Sequence, residues 1–277
     1  MKLGFHGATT MTSDLVTDIE ISAQAGFSGL EVWAEKVDRY LVDHSLAELN
    51  ELFNHHNITP LALDAIVFIG FRGQEYPQIQ ARCRELSAIA QAIHCPTIVV
   101  VAGPLPNRET PWEEVVEEYV NVLRDLGSIA EPFGVQLAFE FLGFGWTSVR
   151  TPRGAYEIIQ KTGRTNIGMS FDAAHFYGGG GLLDELNAID PERIFAFHLD
   201  DLDDAPKEAF SDSIRILPGE GVVPLDVICA RLKAIGFDGP CSIELFRPEY
   251  WQQDPFEVAR NAKKAALQIL TPHFSIK

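Results

Sequence analysis

The sequence predicts one (β/α)8 barrel over residues 1–277, and three observations carry that prediction. Short, nearly continuous apolar runs recur eight times, as strands buried on both faces of a parallel sheet require. Amphipathic stretches of helical length separate them, opened by capping residues and closed by glycines. No linker, low-complexity tract or shift in composition divides the chain, and eight such units in this length suit one barrel. An open doubly wound sheet fits less well. No GxGxxG or Walker-type loop follows the first run, and Gly178–Gly181 is a plain glycine run.

Lys2–Phe5 is the first expected strand. Gly29–Trp33 follows a helical stretch that Gly26 closes. Pro60–Ile66 comes third, behind Ser45-Leu46-Ala47-Glu48, a capping box in which serine and glutamate satisfy each other's orphan amides. Thr97–Val101 is fourth. Thr110-Pro111-Trp112-Glu113 reads as a second capping box, opening the helix that leads to Gln136–Phe141. Thr151-Pro152 pairs a cap with proline at the first helical position, Gly163 ends that helix, and Ile167–Asp172 is sixth. Ile194–Leu199 and Cys241–Leu245 complete the set. Gly236 stops the helix between them, and Asp254-Pro255 starts the one that follows.

Composition narrows the function classes. The net charge of −17 argues against a nucleic-acid partner, because such affinity comes from Lys and Arg neutralising phosphates. The most apolar stretches, such as TIVVVAG, are too short to span a bilayer. MKLGFHGATT turns polar at once, so no signal peptide is expected. Cys83, Cys95, Cys229 and Cys241 lie far apart with no CxxC pair, which suits reduced thiols in the cytoplasm and not a cysteine zinc site. Association into a homo-oligomer stays open.

The chemistry lies at four strand ends. LAFE, IGMSFD, IFAFH and CSIE finish on Glu140, Asp172, His198 and Glu244. On strands five to eight of a barrel these residues meet at the C-terminal face, where barrel active sites are built. Three carboxylates and one imidazole suit a single divalent cation: Mn²⁺, Co²⁺, Zn²⁺ or Mg²⁺. Without a cation, neighbouring acids would repel one another or take up protons. The structural alternative pairs Glu140 with Arg150 and Glu244 with Arg247, and makes His198 a hydrogen-bonded core histidine. Asp200 and Asp201 either orient the His198 ring or lie in a solvated acidic loop. His175, three residues past Asp172, reads as an acid, base or hydroxyl donor, or else as a helix cap. His6 would contact substrate hydroxyls. Arg215 would be aimed across the site by the Pro218–Gly221 turn. Trp33, Phe68, Trp146, Phe176 and Phe246 would wall a sugar-sized pocket. No GxSxG elbow is present. A third acid and a histidine at matching positions fit a metal better than the two acids of a glycosidase.

At these residues the chain resembles the xylose-isomerase-like barrel superfamily of sugar isomerases and epimerases, and within it the inosose isomerases of myo-inositol catabolism. The likeness runs through Ala8–Thr10, Asp43–Leu46, Pro60–Leu63, Ile129–Val135, Phe171–Phe176, His198–Asp201, Pro218–Gly221 and Glu244–Trp251. It implies that Glu140, Asp172, His198 and Glu244 bind one divalent cation. It also implies that Glu140 and Glu244 relay protons with help from His175, and that the substrate is a small polyol or keto-sugar. The reaction implied interconverts 2-keto-myo-inositol and 1-keto-D-chiro-inositol. Ketose 3-epimerases of the superfamily carry a glutamate and an arginine where this chain has Trp146 and Asp204. The inosose isomerases read NEATT where this chain has His6-Gly7-Ala8-Thr9-Thr10, and an asparagine where it has Asp64. Three alternatives remain beside this reading: another isomerase, epimerase or keto-acid dehydratase of the same barrel, a non-catalytic sugar-binding protein, and a related nuclease. The nuclease would want more histidine ligands and a basic face.

Overall fold

The computed structural model describes residues 1–206 and 209–277. Within them, eight parallel strands close into a barrel: β1 (Leu3–His6), β2 (Gly29–Trp33), β3 (Thr59–Ile66), β4 (Thr97–Val101), β5 (Gln136–Glu140), β6 (Ile167–Asp172), β7 (Ile194–His198) and β10 (Cys241–Ile243). Neighbours in sequence are neighbours in the barrel. β1 closes it against β10 with Leu3, Gly4 and Phe5 opposite Cys241, Ser242 and Ile243. Between β7 and β10 lies an antiparallel pair that the apolar pattern did not predict, β8 (Asp201–Leu202) and β9 (Arg215–Ile216). Its strands are too short to show a period.

The outer layer contains α1 (Leu15–Gln24), α2 (Ala34–Tyr40), α3 (Leu46–His56), α4 (Tyr76–Ala92), α5 (Trp112–Ala130), α6 (Pro152–Thr162), α7 (Ala173–Gly178), α8 (Leu225–Ala234), α9 (Pro248–Trp251) and α10 (Pro255–Leu270). Three of the expected starts form. Ser45 and Glu48 complete their box, Thr151 accepts from Gly154 N–H, and Asp254 accepts from Phe256 N–H. The box at Thr110–Glu113 does not. α5 starts one residue later than a box there requires, with Pro111 as its N-cap, and proline has neither a hydroxyl to accept nor an N–H to donate. Gly26, Gly163 and Gly236 take positive φ just past helix ends, as expected.

Alternate strand residues face opposite sides, which divides the core in two. Phe5, Leu30, Val100, Phe139 and Phe171 belong to the large cluster shared with the helices, while Ala62, Val99, Val101, Ala138 and Leu142 form a small separate cluster. The residue two before each of His6, Glu31, Asp64, Glu140, Asp172, His198 and Glu244 is small: Gly4, Gly29, Ala62, Ala138, Ser170, Ala196 and Ser242. The long polar side chains above therefore have room to converge.

Candidate active site

Glu140 ends β5, Asp172 ends β6, His198 ends β7, and Glu244 follows β10 by one residue. All four are buried. His198 Nδ1 lies 2.9 Å from Glu140 Oε1, 3.3 Å from Glu244 Oε2 and 3.7 Å from Asp172 Oδ2. One donor atom from each of the four sits within 4.8 Å of the others. Ligands at about 2.0–2.2 Å around one tetrahedral ion stand a little over 3 Å apart, so this spacing fits a first-row cation. A second observation agrees. His198 Nε2 faces Glu31 Oε1 at 3.1 Å, so its N–H donates there, while Nδ1 is buried with no hydrogen-bond partner. An orphaned imidazole nitrogen aimed at three carboxylates is the donor set of a metal centre.

The electrostatics are those of a crowded acid cluster. Burial works against charge on His198, yet Glu31, Glu244 and Glu140 raise it well above its ordinary value. Burial pushes Glu140 up to about 8 despite His198, with Glu244 and Asp172 adding to the rise. Against burial, His198, His6 and Arg215 hold Glu244 at about 2. Protons on His198 and Glu140 thus supply positive charge that a cation would otherwise provide.

Arg215, on β9, reaches the cluster from the side. Its guanidinium donates to Asp172 Oδ2 at 2.6 Å, Glu244 Oε2 at 3.1 Å and Asp200, and Nη2 lies 3.0 Å from His175 Nε2. One guanidinium faces Asp172, Asp200 and Glu244 together, so it does not neutralise the group. Arg150 and Arg247, the expected structural partners, go elsewhere: Arg150 donates to Gly143 O, and Arg247 to Asp203. The expectation for Asp200 and Asp201 is corrected. Neither orients His198, whose Nε2 is held by Glu31, and neither is solvated. Asp200 accepts from Ala174 N–H and Arg215. Asp201 accepts from the backbone N–H groups of Leu202, Gly219, Gly221 and Val223. A carboxylate holding four amides fixes the turn after Arg215.

His175 lies in the short α7, where Asp172 Oδ1 accepts its N–H. Arg215 donates to His175 Nε2, so the ring proton sits on Nδ1, which is buried and without a protein partner. Burial, reinforced by Arg215, lowers its pKa and keeps it neutral. The glycines after it are not a free lid. Gly179 and Gly181 donate to His175 O and Phe176 O, and a Cβ on Gly179 would lie 2.1 Å from Arg150 O.

His6 departs from expectation. It ends β1 fully buried beneath the pocket, and is not among the pocket's lining residues. Its Nδ1 accepts Ala8 N–H at 3.0 Å, and Nε2 faces Asp64 Oδ2 at 3.2 Å and Glu244 Oε1 at 3.3 Å. Two of the departures from the inosose isomerase pattern, His6 and Asp64, therefore face each other. Sequence reasoning missed Glu31, whose signal was a lone acid inside the apolar run GLEVW. It stands between His198, His6 and Ser242 Oγ.

Above this floor opens a cavity of about 390 Å³ lined by Trp33, Phe68, Trp146, His175 and Phe246, with Phe144 and Phe210 also present. Trp33 Nε1 is buried without a partner. Trp146 stands at the rim, 46% exposed, stacked on Phe144 with centroids 5.2 Å apart. Phe176 is corrected to core, packed on Phe171 at 5.5 Å.

Comparison with known proteins agrees with this architecture. Residues 19–268 match the model of the xylose isomerase-like TIM barrel. The chain is 37% identical to the inosose isomerase of Halalkalibacterium halodurans, over 100% of this chain and 99% of that protein. It is 36% identical to that of Bacillus subtilis over the whole of both. The crystal structure of an IolI protein with a bound zinc atom superposes with a TM-score of 0.96 at 36% identity, covering 99% of this chain and 100% of the other. The chain belongs to the xylose isomerase-like TIM-barrel family and, within it, to the inosose isomerases.

Proposed function

We propose that this protein is a divalent-cation-dependent isomerase that moves a carbonyl between adjacent carbons of a cyclic polyol, interconverting 2-keto-myo-inositol and 1-keto-D-chiro-inositol. The observation that carries the reading is the orphaned His198 Nδ1, with Glu140, Glu244 and Asp172 within 3.7 Å of it at the pocket floor. The likeness to inosose isomerases and to a zinc-bound relative supports it. Glu140, Asp172, His198 and Glu244 would hold the ion, and the fit admits Mn²⁺, Co²⁺, Zn²⁺ or Mg²⁺. Four buried free thiols support a site of action in the cytoplasm.

Carbonyl transposition removes the proton from a hydroxyl-bearing ring carbon, passes one between the two oxygens, and returns one to the former carbonyl carbon. A bound cation would supply Lewis acidity to the developing negative charge, worth several kcal/mol. The rest falls to the chain. Glu140 and Glu244 flank His198 from the end of β5 and from just past β10, and each would present a carboxylate oxygen to a C–H proton. Neutral His175 would donate its free Nδ1–H to a substrate hydroxyl, as Trp33 would its indole N–H. Phe68, Phe144 and Phe246 would take the apolar faces of the ring and exclude water.

The test is deuterium uptake into 2-keto-myo-inositol in D₂O. Chelation should abolish exchange, and adding back Mn²⁺, Co²⁺ or Zn²⁺ should restore it. Exchange that persists in metal-free protein overturns the reading. Glu244→Gln, assayed at saturating cation, should lower turnover by about 10²–10⁴-fold; wild-type turnover would remove Glu244 as a proton carrier.

A further inference from the structure

Among the four proposed ligands, Glu244 is the one outside the strand ladder. Glu140 pairs with Val101 and Ser170, and Asp172 pairs with His198, so hydrogen-bonded neighbours fix those backbones. The β10 ladder ends at Ile243. Something else must set the backbone of Glu244, and the bonds around it identify what does. The buried hydroxyl of Thr9 donates to Ile243 O at 2.8 Å and accepts Leu245 N–H at 2.9 Å. One side chain thus grips the peptide on each side of Glu244.

The turn carrying Thr9, a single 3₁₀ turn over Gly7–Thr10, is itself tied down at each residue. Lys36 Nζ spends its three donors on Gly7 O at 2.9 Å, Thr10 O at 2.8 Å and Asp18 Oδ2 at 2.6 Å. Thr10 Oγ1 donates to Asp18 Oδ1 at 2.8 Å, Trp251 Nε1 donates to Ala8 O at 2.9 Å, and Ala8 N–H donates to His6 Nδ1. Lys36 and Asp18 are both buried, and a buried ammonium is tolerated only where every proton finds an acceptor. Here two of the three acceptors are the ends of one turn.

We propose that Thr9 is a positioning residue that fixes the orientation of the Glu244 carboxylate through the flanking peptides, from a turn anchored by the buried Lys36–Asp18 pair. The consequence for chemistry rests on the role proposed above for Glu244. Thr9→Val keeps the shape and removes both bonds. It should weaken Co²⁺ or Zn²⁺ binding, read by competition with a chromogenic chelator, by about 10–100-fold. It should also lower kcat for deuterium exchange more than it changes KM. Thr9→Ser, which restores the hydroxyl, should recover most of both. Thr9→Ala gives the same reading if the valine variant does not fold. A Thr9→Val protein that only melts earlier, with wild-type cation affinity and kcat, overturns the proposal. So does a crystal structure of it with Glu244 Oε2 still 3.3 Å from His198 Nδ1. If the wild type binds no divalent cation, the proposed function fails and the crystal structure alone decides the clamp.

Discussion

The wall built by β5, β6 and β7 and the seam where β10 meets β1 present similar chemistry on different supports. On the wall, Glu140, Asp172 and His198 are themselves ladder residues, and each pairs with a neighbouring strand. At the seam three residue pairs close the barrel, and the ladder stops before Glu244. There Thr9, Trp251 and Lys36 replace strand pairing with side-chain bonds to backbone. The difference teaches where a functional group is fixed by topology and where it depends on particular side chains. A wall residue has its backbone placed by its own strand pairing. A seam residue takes that placement from other side chains.

The largest expected effect is on the wall. Asp172→Asn keeps an oxygen able to accept the His175 N–H but removes the charge that faces Arg215 and His198. Cation affinity should fall by more than about 100-fold, beyond what loss of a supporting partner costs. Wild-type affinity in this variant, measured by chelator competition, would remove Asp172 from the ligand set. Glu31→Gln tests the support behind His198. It keeps a partner for Ser242 but weakens the acceptor that holds the His198 N–H, and affinity should drop by about 10–100-fold. An effect equal to that of Asp172→Asn would show that Glu31 belongs with the ligands.

This contrast also explains what the sequence revealed. Parallel strands buried on both faces read as apolar runs, so all eight barrel strands were legible and Glu140, Asp172, His198 and Glu244 stood out as polar stops. Glu31 and Asp64 were not, because each sits inside an apolar run and not at its end, and a single-acid interruption has no period. His6 was legible as a strand end but not as buried, since the register that sets it beside Glu31 and against Asp64 and Glu244 is fixed by barrel closure. Thr9 showed only as part of the Ala8–Thr10 likeness, with no sign of what it bonds. A hydroxyl whose partners lie more than 230 positions away in the chain has no local signature. The hairpin of β8 and β9 escaped for a related reason. Its Arg215 is held by Asp172, Asp200 and Glu244 from three other segments, besides the local Asp212.

A smaller effect distinguishes the acid cluster from its cation. The folded His198 pKa lies well above its ordinary value, so in metal-free protein its contribution is complete below about pH 6.5 and lost as pH rises through the folded value. Glu140, raised to about 8, acts in the same direction, because between its unfolded value and about 8 the folded state binds the extra proton. The metal-free protein should therefore lose thermal stability as pH rises from about 6.5 through about 8. Zn²⁺ or Co²⁺ should flatten that slope by replacing both protons. An unchanged slope with cation present would place the ion elsewhere.

The smallest expected effect lies far from both regions in kind. Ser45 caps α3 on the exposed outer layer and touches nothing at the mouth. Ser45→Ala should cost about 1 kcal/mol of stability, a Tm shift of roughly 2–4 °C for a chain of this size, with cation affinity unchanged. That pairing matters because Thr9→Val will also lose some stability. If a cap on the outer layer weakens cation binding merely by lowering stability, then weakened binding after a change at the seam says nothing about Glu244. If it does not, a drop in affinity at Thr9 reports position and not general loosening.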